Sequence, residues 1–218
     1  MTSPRPVLVV GASGYVGSRV ARGLAAGGHT VLAAARRPLP DAGDGVVPVG
    51  YERADTLPDA VRAVCARDGL PLPGAVVASI GGWHKGAALL DEDPDRWTAT
   101  LASHLTAHLD VARALAPLLG PGDPYVVLNG AASREAMAGS GAICVTGAGL
   151  AMLVQVLRLE AGQAEPSRAV RFHELVIDHA VAGDDRNADP AQTRTTAQVV
   201  TALRGVLDDA AAPAVTHV

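Results

Sequence analysis

The chain has 218 residues, of which 49% are hydrophobic and 18% charged, and it carries a net charge of −4. That length and apolar content support a full core without disulfide or metal staples and exclude a disordered chain. The acidic balance, with Lys85 the one lysine and no basic tract, gives no footing for binding nucleic acid or an anionic membrane surface.

Residues 6–10 form a short apolar run, the mark of a buried strand. Residues 14–27 follow with helical spacing, Val16, Val20 and Leu24 sharing one face, and Gly27-Gly28 stops that helix. Strands are predicted over 30–35 and 46–50, a helix over 57–67, and a fourth strand over 74–80, broken by Gly81-Gly82. Asp93-Pro94 supplies a cap and a first-turn proline for a long helix over 95–119. A fifth strand spans 125–128, and a helix rich in small residues spans 137–162. A sixth strand covers 170–177, a helix 191–208 and a closing strand 214–218. No apolar run reaches the ~18 residues of a membrane span. Residues 1–6 are too short and polar for a signal peptide. Cys65 and Cys144 lack metal spacing and read as reduced thiols, so the expected location is cytoplasmic.

This alternation of strand and helix predicts right-handed crossovers. The fold class expected is α/β: a single Rossmann-type three-layer domain over 1–218, a parallel seven-stranded sheet with helices on both faces. The turn between the first strand and helix reads Gly11-Ala12-Ser13-Gly14-Tyr15-Val16-Gly17. In such a turn the first glycine permits the bend, the second lets backbone approach a pyrophosphate, and the third lets helix and strand pack closely. Amides of the helix N-terminus then face the phosphate charge. A dinucleotide site is therefore expected on Gly11, Ser13, Gly14, Tyr15, Val16 and Gly17. The second strand ends Ala35-Arg36-Arg37-Pro38, without the acid that binds ribose hydroxyls in NAD sites. Two guanidinium groups suit a 2′-phosphate instead, so the expected cofactor is NADP(H), held also by Arg36 and Arg37.

With these features the chain resembles the short-chain dehydrogenase/reductase family over residues 6–218. The Gly11, Gly14, Gly17 spacing is like that of its extended and atypical branches. Val76-Val77-Ala78-Ser79-Ile80-Gly81-Gly82 is similar to the family's Asn-Ala-Gly segment, which implies cofactor contacts from Ser79, Ile80 and Gly81. Leu150 and Leu157-x-x-Glu160 resemble the fifth helix. The family's Tyr-x-x-x-Lys pair and serine are missing: the resemblance puts Gly130 at the serine, Ile143 at the tyrosine and Gly147 at the lysine. His104 takes the place of the fourth-helix asparagine, and Ile177-Asp178 that of the Pro-Gly after the sixth strand. Tyr125 begins its strand at the far end, leaving Tyr15 and Tyr51 as the tyrosines near the cofactor.

A proton source other than the standard one is therefore required. Trp83-His84-Lys85 lies at the carboxyl end of the fourth strand, where ligands of open α/β sheets sit. His84 is suited to donate a proton near neutral pH, and Lys85 to polarise an oxygen. His104, Asn129 and Ser133 are the further catalytic candidates, the last two as hydrogen-bond partners for a carbonyl. His104 and His108 share a helical face but lack a third ligand, so no metal is expected. Asp178 and His179 end the sixth strand, and 184–187 read as a polar lid. Gly139, Gly141, Gly147 and Gly149 in the fifth helix point to close packing against a neighbour, hence a homodimer or homotetramer. The expected function is an atypical NADP(H)-dependent oxidoreductase of a small carbonyl or alcohol. The alternatives are an NADP(H)-binding sensor or scaffold without catalysis, and a non-redox cyclase, isomerase or dehydratase.

Overall fold

The computed structural model describes residues 4–37, 39, 42–163, 165, 169–183 and 190–218. Strand β1 (Val7–Val10) is buried along its whole length, as a central strand covered on both faces must be. It leads into α1 (Tyr15–Ala26), β2 (Val31–Ala35) and β3 (Val46–Gly50). Helix α2 (Leu57–Asp68) ends on Gly69 in the left-handed conformation, φ 64°. After β4 (Ala75–Ala78), α3 (Pro94–Thr100) opens with the expected cap: Asp93 Oδ1 accepts from the Arg96 amide at 2.9 Å. Next come α4 (Ala107–Leu115), β5 (Pro124–Gly130), α5 (Gly141–Gln163) and β6 (Arg171–Ile177). A short β7 (Ala180–Val181) pairs with β8 (Thr193–Arg194), before α6 (Thr196–Asp208) and β9 (Val215–His217).

The seven long strands form one sheet in the order β3-β2-β1-β4-β5-β6-β9, every pairing parallel. This is the expected α/β Rossmann-like architecture. The sheet divides the core in two. Val20, Leu24, Val199 and Leu203 of α1 and α6 pack on one face. Leu57, Val61, Leu115, Leu150 and Val154 of α2, α4 and α5 pack on the other. The strand order reverses between β1 and β4, which opens a crevice at their carboxyl ends.

Several boundaries differ from the sequence expectation. The long helix over 95–119 is divided: a π-helical turn, Leu101–Thr106, separates α3 from α4, and a 3-10 turn at Ala116–Leu118 closes it around Pro117. Helix α5 begins at Gly141, not 137, because Gly139 takes φ 75° and its carbonyl accepts from the Gly86 amide at 2.7 Å. Helix α6 begins at Thr196, not 191; Thr195 and Gln198 form a reciprocal capping box there.

The helix glycines also serve a different purpose from the one expected. A Cβ on Gly147 would lie 3.1 Å from the Ser133 backbone, and one on Gly149 would lie 3.1 Å from Leu105. Their close packing is within the chain. Contrary to the expectation that no apolar run is long enough, Gly141–Gln163 could cross a membrane by length and composition. Here it is the crossover between two adjacent strands of one sheet, its inner residues Ile143, Leu150 and Val154 buried.

Candidate functional site

The glycine turn occupies the switch-point crevice. Gly11 takes φ 83°, and a Cβ there would fall 2.0 Å from the Ser79 carbonyl oxygen. A Cβ on Gly17 would lie 2.3 Å from the Gly11 carbonyl oxygen. Only glycine lets β1, the first turn of α1 and the exit of β4 approach this closely. Tyr15, Val16 and Gly17 open α1, and amides of a first helical turn have no intrahelical acceptor. The turn thus fits the pyrophosphate of a dinucleotide. Ser13 and Gly14 line the same bend, both partly exposed.

Arg36 and Arg37 stand exposed just past β2. Burial pushes the Tyr51 phenol up, and the Arg36 guanidinium acts on it in the opposite sense, which places Arg36 beside Tyr51 at the ends of β2 and β3. Among the described residues neither arginine forms an ion pair, so both guanidinium groups are uncommitted.

The exit of β4 is held from the π-turn side. The Gly82 amide donates to His104 Nε2 at 2.8 Å, so the neutral ring carries its proton on Nδ1. Burial, with His84 nearby, lowers the His104 pKa. One turn on, His108 Nε2 donates to the Ile80 carbonyl at 3.3 Å, while its buried Nδ1 has no partner. Burial pushes His108 down to about 4. Its pKa is therefore depressed from about 6.5 in the unfolded chain. The unfolded state binds the extra proton between these values, so stability is full above pH 6.5 and falls as pH drops towards 4. The expected loss is about 3 kcal/mol. Urea titrations across that window should show it, and His108→Leu should flatten the profile.

His84 and His104, two of the catalytic candidates, meet at one open cleft of about 380 Å3 that Arg96, Ala99, Thr100 and Ser103 complete. The loop bearing His84 is docked on the β5–α5 connection, since Ser140 Oγ donates to the His84 carbonyl at 3.3 Å. Lys85 is exposed and lays its stem along Gly139.

Asn129 and Ser133 are placed differently. Asn129 Nδ2 donates to the Gly147 carbonyl at 3.0 Å and to Glu174 Oε1 at 2.8 Å, and its Oδ1 accepts from the Gly130 amide. Ser133 is buried, and its hydroxyl donates to the Gly130 carbonyl at 2.7 Å. Both are engaged within the fold. The 131–133 turn packs on Gly147, and Ile143 is buried. A lysine side chain at position 147 would therefore meet backbone, not a cleft.

Sequence reasoning missed the charged pair beneath this turn. Glu174, inside β6 with a side chain 1% exposed, accepts from Arg134 Nη2 at 2.5 Å. The one signal is a carboxylate inside a predicted strand, next to the apolar run Leu175-Val176-Ile177. Asp178 turns outward to His217 of β9 at 2.9 Å, on the wall of a second open cleft of about 730 Å3. The expected lid residues 184–187 lie outside the described residues.

The sequence model of the NAD dependent epimerase/dehydratase family matches residues 7–82, the span from β1 to the exit of β4. No curated protein matches the sequence. Among solved structures, the chain is similar to a dehydrogenase/reductase from Sinorhizobium meliloti, with a TM-score of 0.81 and 17% identity, covering 100% of this chain and 94% of that one. It is also similar to a short-chain dehydrogenase from Streptomyces avermitilis, with a TM-score of 0.77 and 22% identity, covering 99% and 89%. A third is a short chain dehydrogenase from Burkholderia cenocepacia in complex with NADP, with a TM-score of 0.76 and 19% identity, covering 100% and 89%. At these identities the likeness is one of fold.

Proposed function

We propose that this chain binds NADP(H) and uses it in the oxidoreduction of a small carbonyl or alcohol. The observation that carries this reading is the glycine turn together with two uncommitted arginines at the end of β2. The first turn of α1 would hold the pyrophosphate, and Arg36 and Arg37 the 2′-phosphate. The nicotinamide supplies hydride chemistry when bound. Ser79, Ile80 and Gly81 back the turn at the exit of β4. Of the titratable candidates on the cleft, His84 is the one free to pass a proton to or from a substrate oxygen. His104 has its Nε2 committed to Gly82 and fixes the floor beside it. The NADP held by the Burkholderia structure supports the choice of cofactor by analogy of fold.

A second reading, an NADP(H)-binding sensor or scaffold without turnover, is favoured by one observation. Asn129 and Ser133 spend their hydrogen-bonding groups within the fold. The two readings separate in one experiment: titrate the protein with NADPH and NADH, then follow NADPH absorbance against a panel of small carbonyls. Binding with consumption supports the oxidoreductase; binding without consumption supports the sensor. Failure to bind either dinucleotide would overturn both. The Arg36→Ala/Arg37→Ala variant should bind NADPH roughly 10- to 100-fold more weakly, from the loss of charge-assisted hydrogen bonds to phosphate, with NADH affinity unchanged.

The same proposal includes a homodimer or homotetramer. Val145, Met152, Val156 and Leu159 leave an apolar stripe exposed along α5, and a second copy of the chain would cover it. A monomeric mass in sedimentation rules this out.

A further inference from the structure

We infer that Tyr15 is a positioning residue. It tethers the segment leaving β6 across the dinucleotide site and so sets how firmly the nicotinamide half of the cofactor is retained. This rests on the dinucleotide reading above.

Tyr15 is the first residue of α1, directly after Gly14, so its backbone belongs to the turn that faces the pyrophosphate. Its side chain leaves that helix altogether. The phenol hydroxyl donates to the Ala182 carbonyl at 2.8 Å, 167 residues away. The next residue is fitted to the phenol: Gly183 takes φ 83°, and a Cβ there would lie 2.7 Å from the hydroxyl oxygen. The ring is held on its other side by Arg19. That guanidinium stacks 3.5 Å from the ring centroid, and its Nη1 donates to the Tyr15 carbonyl at 3.2 Å. A cation over the aromatic face and a donor on the backbone together fix the ring's orientation.

The path of the segment follows from the sheet. β6 is the third neighbour of β1, so about 14 Å separates the two strands at the usual inter-strand spacing. The five residues from 178 to 182 span at most about 17 Å. With the Tyr15 side chain meeting it part of the way, the segment passes from the end of β6 to α1 within that reach. It gains a second anchor on the way: Ala180 and Val181 pair with Thr193 and Arg194, and the Ala182 amide donates to the Arg194 carbonyl at 2.7 Å. Val181 is buried against the α1–α6 core. A ligand with its phosphates on the first turn of α1 would have this segment at the edge of its seat. The Tyr15 hydroxyl is what fastens the segment's far end to the phosphate seat.

Tyr15→Phe removes that hydroxyl and keeps the ring under Arg19. Three measurements on the full chain decide the matter. In the ligand-free protein, hydrogen exchange of peptides containing 178–183 should accelerate. NADPH dissociation, followed by fluorescence after displacement, should be about 3- to 10-fold faster, the worth of one hydrogen bond. The affinity for 2′,5′-ADP, which carries the adenosine phosphates but no nicotinamide, should be unchanged. Gly183→Ala, which pushes a methyl group against the hydroxyl, should give the same pattern from the other side of the contact. Unchanged exchange and dissociation in both variants would overturn the tether. Equal weakening of NADPH and 2′,5′-ADP would also overturn it, assigning Tyr15 to the phosphate seat alone. If the wild-type protein binds no dinucleotide, the cofactor role falls with the reading it rests on; the exchange measurement still decides whether the hydroxyl holds the segment.

Discussion

Gly11→Ala is expected to lose about 3 kcal/mol of folding stability and to abolish NADPH binding. Two costs combine. A β-carbon at φ 83° brings the left-handed penalty of about 1–2 kcal/mol. The same atom would sit 2.0 Å from the Ser79 carbonyl oxygen, and this neighbour is backbone at the exit of β4, its amide bonded to the Val10 carbonyl, not a side chain that can turn aside. Relieving the overlap means parting β1 from β4, a form of overpacking that costs about 1–3 kcal/mol. The parting also displaces the first turn of α1 from the crevice. Gly50→Ala is the matched control, since a Cβ there meets nothing within 4 Å and its φ is not positive. Its urea midpoint should match the wild type, whereas that of Gly11→Ala should fall. An unaltered midpoint for Gly11→Ala would mean that the turn is looser than described.

Arg134→Ala should be comparably damaging, although Arg134 stands at the surface with its side chain 36% exposed. The damage falls on its partner. Glu174 is enclosed beneath α5 and, among the described residues, keeps Asn129 alone as a side-chain hydrogen-bond donor once the guanidinium is gone. Removing one member of a buried pair leaves an uncompensated charge, and about 3 kcal/mol is the expected loss. Glu174→Gln in the Arg134→Ala background should recover much of it, because a neutral amide needs no counter-ion. Denaturation of the two single variants and the double at neutral pH gives the coupling between the residues. Strict additivity would contradict this account.

The parts of this fold that were readable in advance are those governed by local rules. Buried parallel strands read as apolar runs, and the runs at 6–10 and 74–80 fall on β1 and β4 for that reason. The glycine turn was readable because steric necessity fixes its residues: no other amino acid fits at 11 or 17. The Asp93-Pro94 cap was readable because it is made by neighbours in sequence. What escaped depends on contacts between distant segments. The start of α5 was misplaced because residues 137–140 tolerate a helix, and the contacts that hold them out of one come from the distant loop of His84 and Gly86. β7 and β8 have two residues each, too few to show any periodicity. The pairs Tyr15–Ala182 and Arg134–Glu174 join residues 167 and 40 positions apart, and a single sequence carries no trace of such partnerships. Asn129 and Ser133 show the same limit. Both residue types suit a carbonyl-binding site, and only the fold reveals that their hydrogen bonds are already made.

The π-turn at Leu101–Thr106 bears on how this protein can change. His104 and His108 grip the backbone at Gly82 and Ile80, in adjacent peptide groups, so the strand end is secured before the chain enters the loop that carries Trp83, His84 and Lys85. Substitutions or insertions beyond Gly82 need not propagate into the sheet or the glycine turn. Substrate preference is thereby left free to drift under selection while the nucleotide seat stays fixed. For the protein engineer, the same clamp marks residue 83 as the first position open to exchange, provided the backbone at His84 and Gly86 keeps its bonds to Ser140 and Gly139.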